Sequence, residues 1–300
     1  MQNERYSTTR RKITEKPDCF DASVDGPITL LKTSGSAQKI AEGGLRLQGQ
    51  YKTSAADKPL ITVVTVVYNG VEFLEDTIKS VIKQTYDNVE YIIVDGGSTD
   101  GTSEIIRKYE HAIDYWVSEP DRGIYDAMNK AIDLGCGKWI NFMNAGDSFF
   151  DASVLAQVFS GPSVFTGFDV IYGNHEVVYS NKKKIVEAGK TESLWKGSQF
   201  CHQSAFVRLN YHKIEKFNIC RNIAADFEFF YNSKKTGSKT TYQPYVFSRI
   251  SAGGVSDARR IDSILEWWLI VDKNNFINTV YCLRIINEVF KVAVKKILRK

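Results

Sequence analysis

Between Leu60 and Asp147 the chain alternates short, largely apolar runs with polar turns, and this pattern constrains the fold more than any other feature. Leu60–Val67 (LITVVTVV) ends in Tyr68-Asn69-Gly70. Val89–Val94 ends in Asp95-Gly96-Gly97-Ser98-Thr99-Asp100-Gly101-Thr102, and Trp139–Met143 in Asn144-Ala145-Gly146-Asp147. A strand that is apolar throughout must be covered on both faces, as the central strands of a parallel sheet are. The intervening segments have helical period. Leu74, Ile78, Val81 and Ile82 share one face, as do Ala127, Met128, Ala131 and Ile132 within Ile124–Leu134, which Gly135 stops. A further helix is expected from Thr102 to Tyr109 with Asp100 as N-cap, and a short strand at Ile113–Val117. The alternation predicts an α/β fold: a Rossmann-like, mostly parallel sheet flanked by helices and joined by right-handed crossovers. Such sheets bind ligands at the carboxyl ends of their strands, where these polar turns gather.

The rest of the chain divides around this core. Residues 1–58 read as an N-terminal extension. Its polar, basic stretch 1–17 is expected to be disordered, while Ile28–Leu31 and Leu45–Leu47 offer a strand or hairpin. The main domain is expected over 59–257, with a nucleotide-binding half at 59–150 and a less regular acceptor half at 151–257. In the latter, Phe168–Tyr172, Glu176–Tyr179 and Gln203–Val207 read as strands and Ala224–Asn232 as a short helix. Residues 258–300 form a helical, basic tail. Residues 281–300 hold six cations against one anion, whereas the whole chain carries +4. With Leu283, Ile286, Val289, Phe290, Ala293, Ile297 and Leu298 at helical spacing, and Trp267-Trp268 upstream, this tail fits a helix lying on an anionic membrane surface. The alternative is a helix packed on the core with its basic face in water.

Charge confined to one end argues against a nucleic-acid surface. No run approaches the ~18 apolar residues of a spanning helix, and the first residues lack the apolar core of a signal peptide. Five cysteines without C-x-x-C point to a reducing, cytoplasmic compartment, and four scattered histidines argue against zinc.

Two carboxylates stand where chemistry would be placed. Asp95 closes a strand before a Gly-Gly turn, where it could accept from a base N–H or a ribose hydroxyl; a plain turn residue is the alternative. Asp147 could hold Mn²⁺ or Mg²⁺ against the phosphates of a nucleotide diphosphate, or simply serve a turn or a cap.

Tyr68-Asn69, Asp95, Gly96-Gly97-Ser98, the stretch Asp121-Arg122-Gly123-Ile124-Tyr125-Asp126-Ala127-Met128-Asn129 and Asn144–Asp147 occur in an order that resembles the inverting, GT-A-fold glycosyltransferases of family 2. More narrowly, they resemble bacterial enzymes that assemble O-antigen, capsule and exopolysaccharide. The resemblance covers residues 58–255 and implies a nucleotide-sugar donor, a UDP-sugar. Thr65 and Tyr68 would lie beside the nucleoside, Asp95 would bind uracil, and Arg122 with the helix near Ile124 would lie against base and ribose. Asn144–Asp147 falls where the family carries a D-x-D-type motif. Only Asp147 keeps a carboxylate there, so it holds the metal nearly alone or metal dependence is weakened, with Asn144 on the donor side.

The matching base is Asp226, within Asn222–Glu228, where Ala225 stands in place of the Glu of a Glu-Asp pair. Glu228 is the reserve, and a helix cap is the alternative role for Asp226. His202 and Gln203 fall in the acceptor-side loop, and Arg249 in a loop, Ser248–Ser256, expected to close over the donor. The implied acceptor is a saccharide or a polyprenyl-diphosphate-linked sugar, with the protein peripheral on the inner face of the cytoplasmic membrane. Two other readings stay open: a sugar-nucleotide nucleotidyltransferase, against which stands the missing Gly-rich basic loop after the first strand, and a non-catalytic carbohydrate- or nucleotide-binding scaffold.

Overall fold

The computed structural model describes residues 6–17, 19, 39–161 and 165–298. Its strands are β1 (Ala41–Gly43), β2 (Ile61–Val67), β3 (Val89–Asp95), β4 (Tyr115–Ser118), β5 (Trp139–Phe142), β6 (Ser148–Phe149), β7 (Val170–Val178), β8 (Lys183–Val186), β9 (Ala205–Arg208) and β10 (Thr240–Ser251). The helices are α1 (Leu74–Ile82), α2 (Thr102–Lys108), α3 (Ile124–Leu134), α4 (Val154–Phe159), α5 (Leu209–Ile214), α6 (Ala225–Lys235), α7 (Val255–Ala258), α8 (Arg260–Ile270) and α9 (Asn275–Leu298). One sheet joins all ten strands in the order β1-β4-β3-β2-β5-β9-β7-β10-β6, with β8 on β7. β4, β3, β2 and β5 are mutually parallel. β9 enters antiparallel between β5 and β7, and β7 and β10 again run with the central strands.

All seven residues of β2 are buried, as its uniform apolarity requires. Alternation along the strand divides them. Val64 and Val66 pack towards α3, with Met128, Ala131 and Ile132. Ile61, Val63 and Val67 pack towards α1 and α4, with Ile78, Val81 and Leu155. The expected α/β sheet flanked by helices is therefore present.

Several segments differ from expectation. The two short strands expected at 168–179 are one, β7. Ser248–Ser251 is no mobile loop but the end of β10, held between β7 and the two-residue strand β6, which is too short to read from sequence. Disorder does not hold for residues 6–17. Ser7 and Thr8 are fully buried, and the Ser7 N–H and hydroxyl donate to the carbonyls of Ile82 and Val81 at 2.9 Å, satisfying groups at the end of α1. Ile28–Leu31 lies outside the described residues.

The extension also carries charge into the core. β1 pairs antiparallel with β4. Behind it, the Arg46 guanidinium bonds Glu90 and donates to the Leu134 carbonyl at 2.9 Å, and the Lys52 ammonium bonds Asp114 and donates to the Val89 carbonyl at 2.7 Å. All four ionic side chains are buried. At the other terminus, Trp267 packs on Phe227 and Trp268 stacks on Tyr281 at 6.2 Å, both partly buried. Ile277 and Tyr281 form the inner stripe of α9, while Phe276, Leu283, Ile286 and Phe290 face outwards. Among the described residues no helix is long and apolar enough to cross a membrane.

Candidate active site

The loops after β2 and β3 are clipped together by side chains. Asn69, held at φ 50°, donates its N–H to the Ser98 hydroxyl at 2.7 Å and accepts from the Thr99 N–H at 2.9 Å. Asp100 accepts from the N–H groups of Val71 and Thr102, tying the two loops together ahead of α2, whose N-cap is Gly101 at φ 101° and not Asp100 as expected. Asp95 is fully buried, and its oxygens accept from the Ser98 and Ser118 hydroxyls. Its carboxylate therefore shapes the Gly96–Ser98 turn from within.

Around that turn lies the candidate nucleoside slot. A Cβ at Gly96 would lie 2.5 Å from Asp121 Oδ2 and 3.3 Å from the ring of Tyr68, which is 66% exposed. Only glycine lets these two groups close in. Asp121, whose carboxyl burial holds above its usual range, was not assigned a role from sequence. Its signal was its place at the head of the D-R-G-I-Y-D-A-M-N stretch. Lys130 on α3 braces the loop from below, through Glu119 at 2.7 Å and the Pro120 carbonyl at 3.0 Å. Arg122 is exposed and pairs with Asp126 in the first turn of α3 at 2.7 Å. Thr65 does not line the site. Fully buried on the inner face of β2, it exchanges its hydroxyl with Tyr91 at 2.9 Å and donates to the Met143 carbonyl at 2.7 Å. Strand alternation points it into the core.

Five of the residues singled out from sequence meet on the other side of the sheet edge. His202 Nδ1 lies 3.0 Å from Asp226 Oδ2 in the first turn of α6, and His202 Nε2 lies 3.0 Å from the Asn144 amide nitrogen. With the carboxylate accepting from Nδ1–H, Nε2 is left to accept from Asn144. Gln203 donates to Asp147 Oδ2 at 2.7 Å, and Tyr125 reaches Asp226 Oδ1 at 3.2 Å. An unbroken chain of contacts thus runs from the Asn144 turn to the helix bearing Asp226. Burial disfavours the Asp226 carboxylate, but the His202 bond and charge outweigh it and hold its pKa below the usual range. Burial likewise opposes the charged form of His202, and Asp226 overrides it, raising the imidazole. For Asp147 burial wins, and its carboxyl is raised despite Gln203.

The sign of the linkage follows. The lowered Asp226 contributes stability above the ordinary carboxylate pKa and loses it as pH falls through the folded value. The raised His202 contributes below the ordinary imidazole pKa and loses it as pH rises through the folded value. The Tm difference between the wild type and His202→Gln is therefore expected to be greatest between these limits and to shrink on both sides, which a pH series of thermal melts measures. A difference that stays flat across the series would contradict the pair.

Glu228 and Arg249 are engaged elsewhere. Two positions along a helix point to different faces, and Glu228 forms a forked pair with Arg221, at 2.7 and 3.1 Å, and accepts from Asn218 at 2.9 Å. It is not free to act as a reserve base. Glu228→Gln is expected to lower Tm while leaving kcat within about twofold, since no reacting group touches it; a large loss of kcat at unchanged Tm would reverse this assignment. Arg249 pairs with Glu176 and lies over the Phe150 ring at 5.3 Å. It still reaches the rim of a cleft of about 530 Å³ between α1 and the β6–β10 edge, which Asp76, Lys79, Lys83 and Asp147 also line.

Among the described residues no three His, Cys, Asp or Glu side chains cluster as a metal site. The Asn144 side-chain amide oxygen Oδ1, however, is buried and finds no hydrogen-bond partner. With Asp147, one turn away, it offers hard oxygen donors of the kind that hold Mg²⁺ or Mn²⁺ together with substrate phosphates. The residues fit such an ion if the ligand completes its shell.

Residues 62–225, which hold every residue of this site named above that precedes Asp226, match the family described as Glycosyl transferase family 2. The chain belongs to glycosyltransferase family 2. A PGL/p-HBAD biosynthesis glycosyltransferase of Mycobacterium bovis is 30% identical over 177 residues, 57% of this chain and 68% of its own length. The GT-A fold recurs in solved structures. Staphylococcus aureus TarS 1–349 in complex with UDP aligns with TM-score 0.54 and 16% identity over 77% of this chain and 72% of that one. The mannosyltransferase PcManGT from Pyrobaculum calidifontis, in complex with GDP-Man and Mn²⁺, aligns with TM-score 0.56 and 17% identity over 76% and 69%. At this identity the likeness to family 2 structures speaks for the fold alone.

Proposed function

We propose that this glycosyltransferase transfers a sugar from a UDP-sugar to a hydroxyl of a saccharide or lipid-linked sugar, with inversion at the anomeric carbon, in the assembly of a surface polysaccharide. The observation that carries the reading is the His202–Asp226 pair, joined through Asn144 to the turn that bears Asp147. The UDP in the TarS complex and the GDP-Man and Mn²⁺ in the PcManGT complex support a nucleotide-sugar donor.

In this scheme the acceptor oxygen attacks the anomeric carbon as the bond to the β-phosphate oxygen breaks, and Asp226 takes the acceptor proton. A carboxylate held below its usual pKa is fully ionised at neutral pH but weakly basic. It takes the proton late, once the forming C–O bond has made the hydroxyl acidic. His202 fixes the direction of the Asp226 carboxylate, and Tyr125 holds its other oxygen. Asp147 and the Asn144 oxygen would hold Mn²⁺ or Mg²⁺, whose charge offsets that on the departing diphosphate. Tyr68 and Asp121 grip the nucleoside over the Gly96-Gly97 turn, which Asp95 shapes, and Arg122 lies beside the ribose.

The outer stripe of α9, with basic residues Arg284 and Lys291 along the same helix, would rest on the anionic inner face of the cytoplasmic membrane, close to a polyprenyl-linked acceptor. Sedimentation with anionic but not neutral vesicles is the expected behaviour, and equal recovery from both would count against it.

The test is incubation with a panel of UDP- and GDP-sugars and a lipid-linked oligosaccharide extract, followed by proton NMR of the product. A β-linked product from an α-linked UDP-sugar is expected. An α-linked product would overturn inversion, turnover of GDP-sugars alone would overturn the donor assignment, and nucleotide binding without any turnover would favour a scaffold.

A further inference from the structure

The family match begins at residue 62, yet a residue ahead of it sits at the mouth of the nucleoside slot. Ile40 is 63% exposed, so its side chain is available to a ligand. Its N–H donates to the Ser118 carbonyl at 2.8 Å, and Ser118 in turn donates its hydroxyl to Asp95. Its Cδ1 lies 3.3 Å from where a Cβ on Gly97 would be, and the Pro120 nitrogen lies 3.6 Å from the same point. Gly97 has φ +83° and cannot readily carry a side chain of its own. Ile40 and Pro120 thus lie against Gly97, as Asp121 and Tyr68 lie against the neighbouring Gly96.

Ile40 is not placed there by chance contacts of a loose arm. It immediately precedes β1, which pairs with β4 in the register Ala41–Ser118, Glu42–Val117 and Gly43–Trp116. The buried Arg46–Glu90 and Lys52–Asp114 pairs fix the same segment to β3 and to the start of β4. A segment held by two buried ion pairs presents one apolar side chain to the edge of the slot.

We propose that the N-terminal extension is part of the donor site: Ile40 forms an apolar wall against the nucleobase and ribose of the nucleoside diphosphate, so that binding depends on residues outside the family core. This rests on the nucleotide-sugar reading above. An aliphatic wall contributes by burying apolar surface of the base. Replacing it with a small polar side chain is expected to weaken binding about tenfold. The loss falls on uridine as much as on UDP, because the wall touches no phosphate.

Calorimetric titration of UDP and of uridine into the full chain tests this, comparing wild type, Ile40→Ser, Ile40→Val and, as a distant exposed apolar control, Ile214→Ser. The expected result is a matching loss for both ligands in Ile40→Ser, recovery in Ile40→Val, no change in Ile214→Ser and an unaltered Tm throughout. Equal affinity of wild type and Ile40→Ser would overturn the proposal while leaving the donor reading intact. So would a loss confined to UDP. Failure of the wild type to bind either UDP or GDP would defeat the donor reading, and this proposal with it.

Discussion

Asp226→Asn is expected to lower kcat for glycosyl transfer by about 10²–10⁴-fold, the usual contribution of a positioned general base, while leaving UDP affinity within about twofold. The two effects separate because Asp226 touches His202 and Tyr125 but none of the groups lining the nucleoside slot. Asparagine keeps the size of the side chain and an oxygen for the His202 N–H, so the helix start and the imidazole orientation survive. What is lost is the capacity to take a proton. His202→Gln, acting only through the direction of the carboxylate, is expected to cost less than Asp226→Asn and to leave the pH profile of the remaining activity controlled by Asp226. Single-turnover rates for the two variants, with UDP titrations alongside, check both statements. Unchanged turnover in Asp226→Asn would remove the proposed base, and a large loss of UDP affinity would make the residue a donor ligand instead.

Arg46→Ala should destabilise the fold by about 3–5 kcal/mol, because it strands a buried carboxylate. Glu90 is 2% exposed and would keep only the Thr62 hydroxyl at 2.6 Å and the Cys136 N–H at 2.8 Å. The Leu134 carbonyl at the end of α3 would lose its donor as well. For a chain of this size the change corresponds to a Tm drop of roughly 5–10 °C. The cause can be separated from lost packing. In Arg46→Met with Glu90→Gln the charge leaves with its partner, and most of the stability is expected to return. Chemical denaturation of the single and double variants decides this; an equally unstable double variant would assign the loss to packing. Because the same segment carries Ile40, Arg46→Ala also ought to weaken nucleotide binding where it remains folded.

Much of this was legible in the sequence, for physical reasons that differ by segment. β2 and β3 are mostly apolar and buried at every position because helices cover both faces, and such runs are visible without any structure. Asn144, Asp147, His202, Gln203 and Asp226 were drawn together by their resemblance to family 2, and they meet in space. The misses have a common form. A charged or polar residue reads as solvated until its partner is known, and partners distant in sequence are invisible. Arg46 and Lys52 drew no reading from sequence, yet their partners, 44 and 62 residues away, bury them. Glu228 read as a spare base until Arg221 claimed it. Thr65 read as a donor contact because of its strand, while alternation turns it inwards. Asp121 was missed because its importance lies in its approach to Gly96, 25 residues earlier in the chain.

The most direct measurement is a calorimetric titration of UDP, with GDP and dTDP beside it, in the presence and absence of Mn²⁺, on the wild type and on Asp147→Ala. UDP-selective binding that Mn²⁺ strengthens in the wild type, with the Mn²⁺ effect lost in Asp147→Ala, is the predicted result. No binding of any nucleoside diphosphate under either condition would contradict the account.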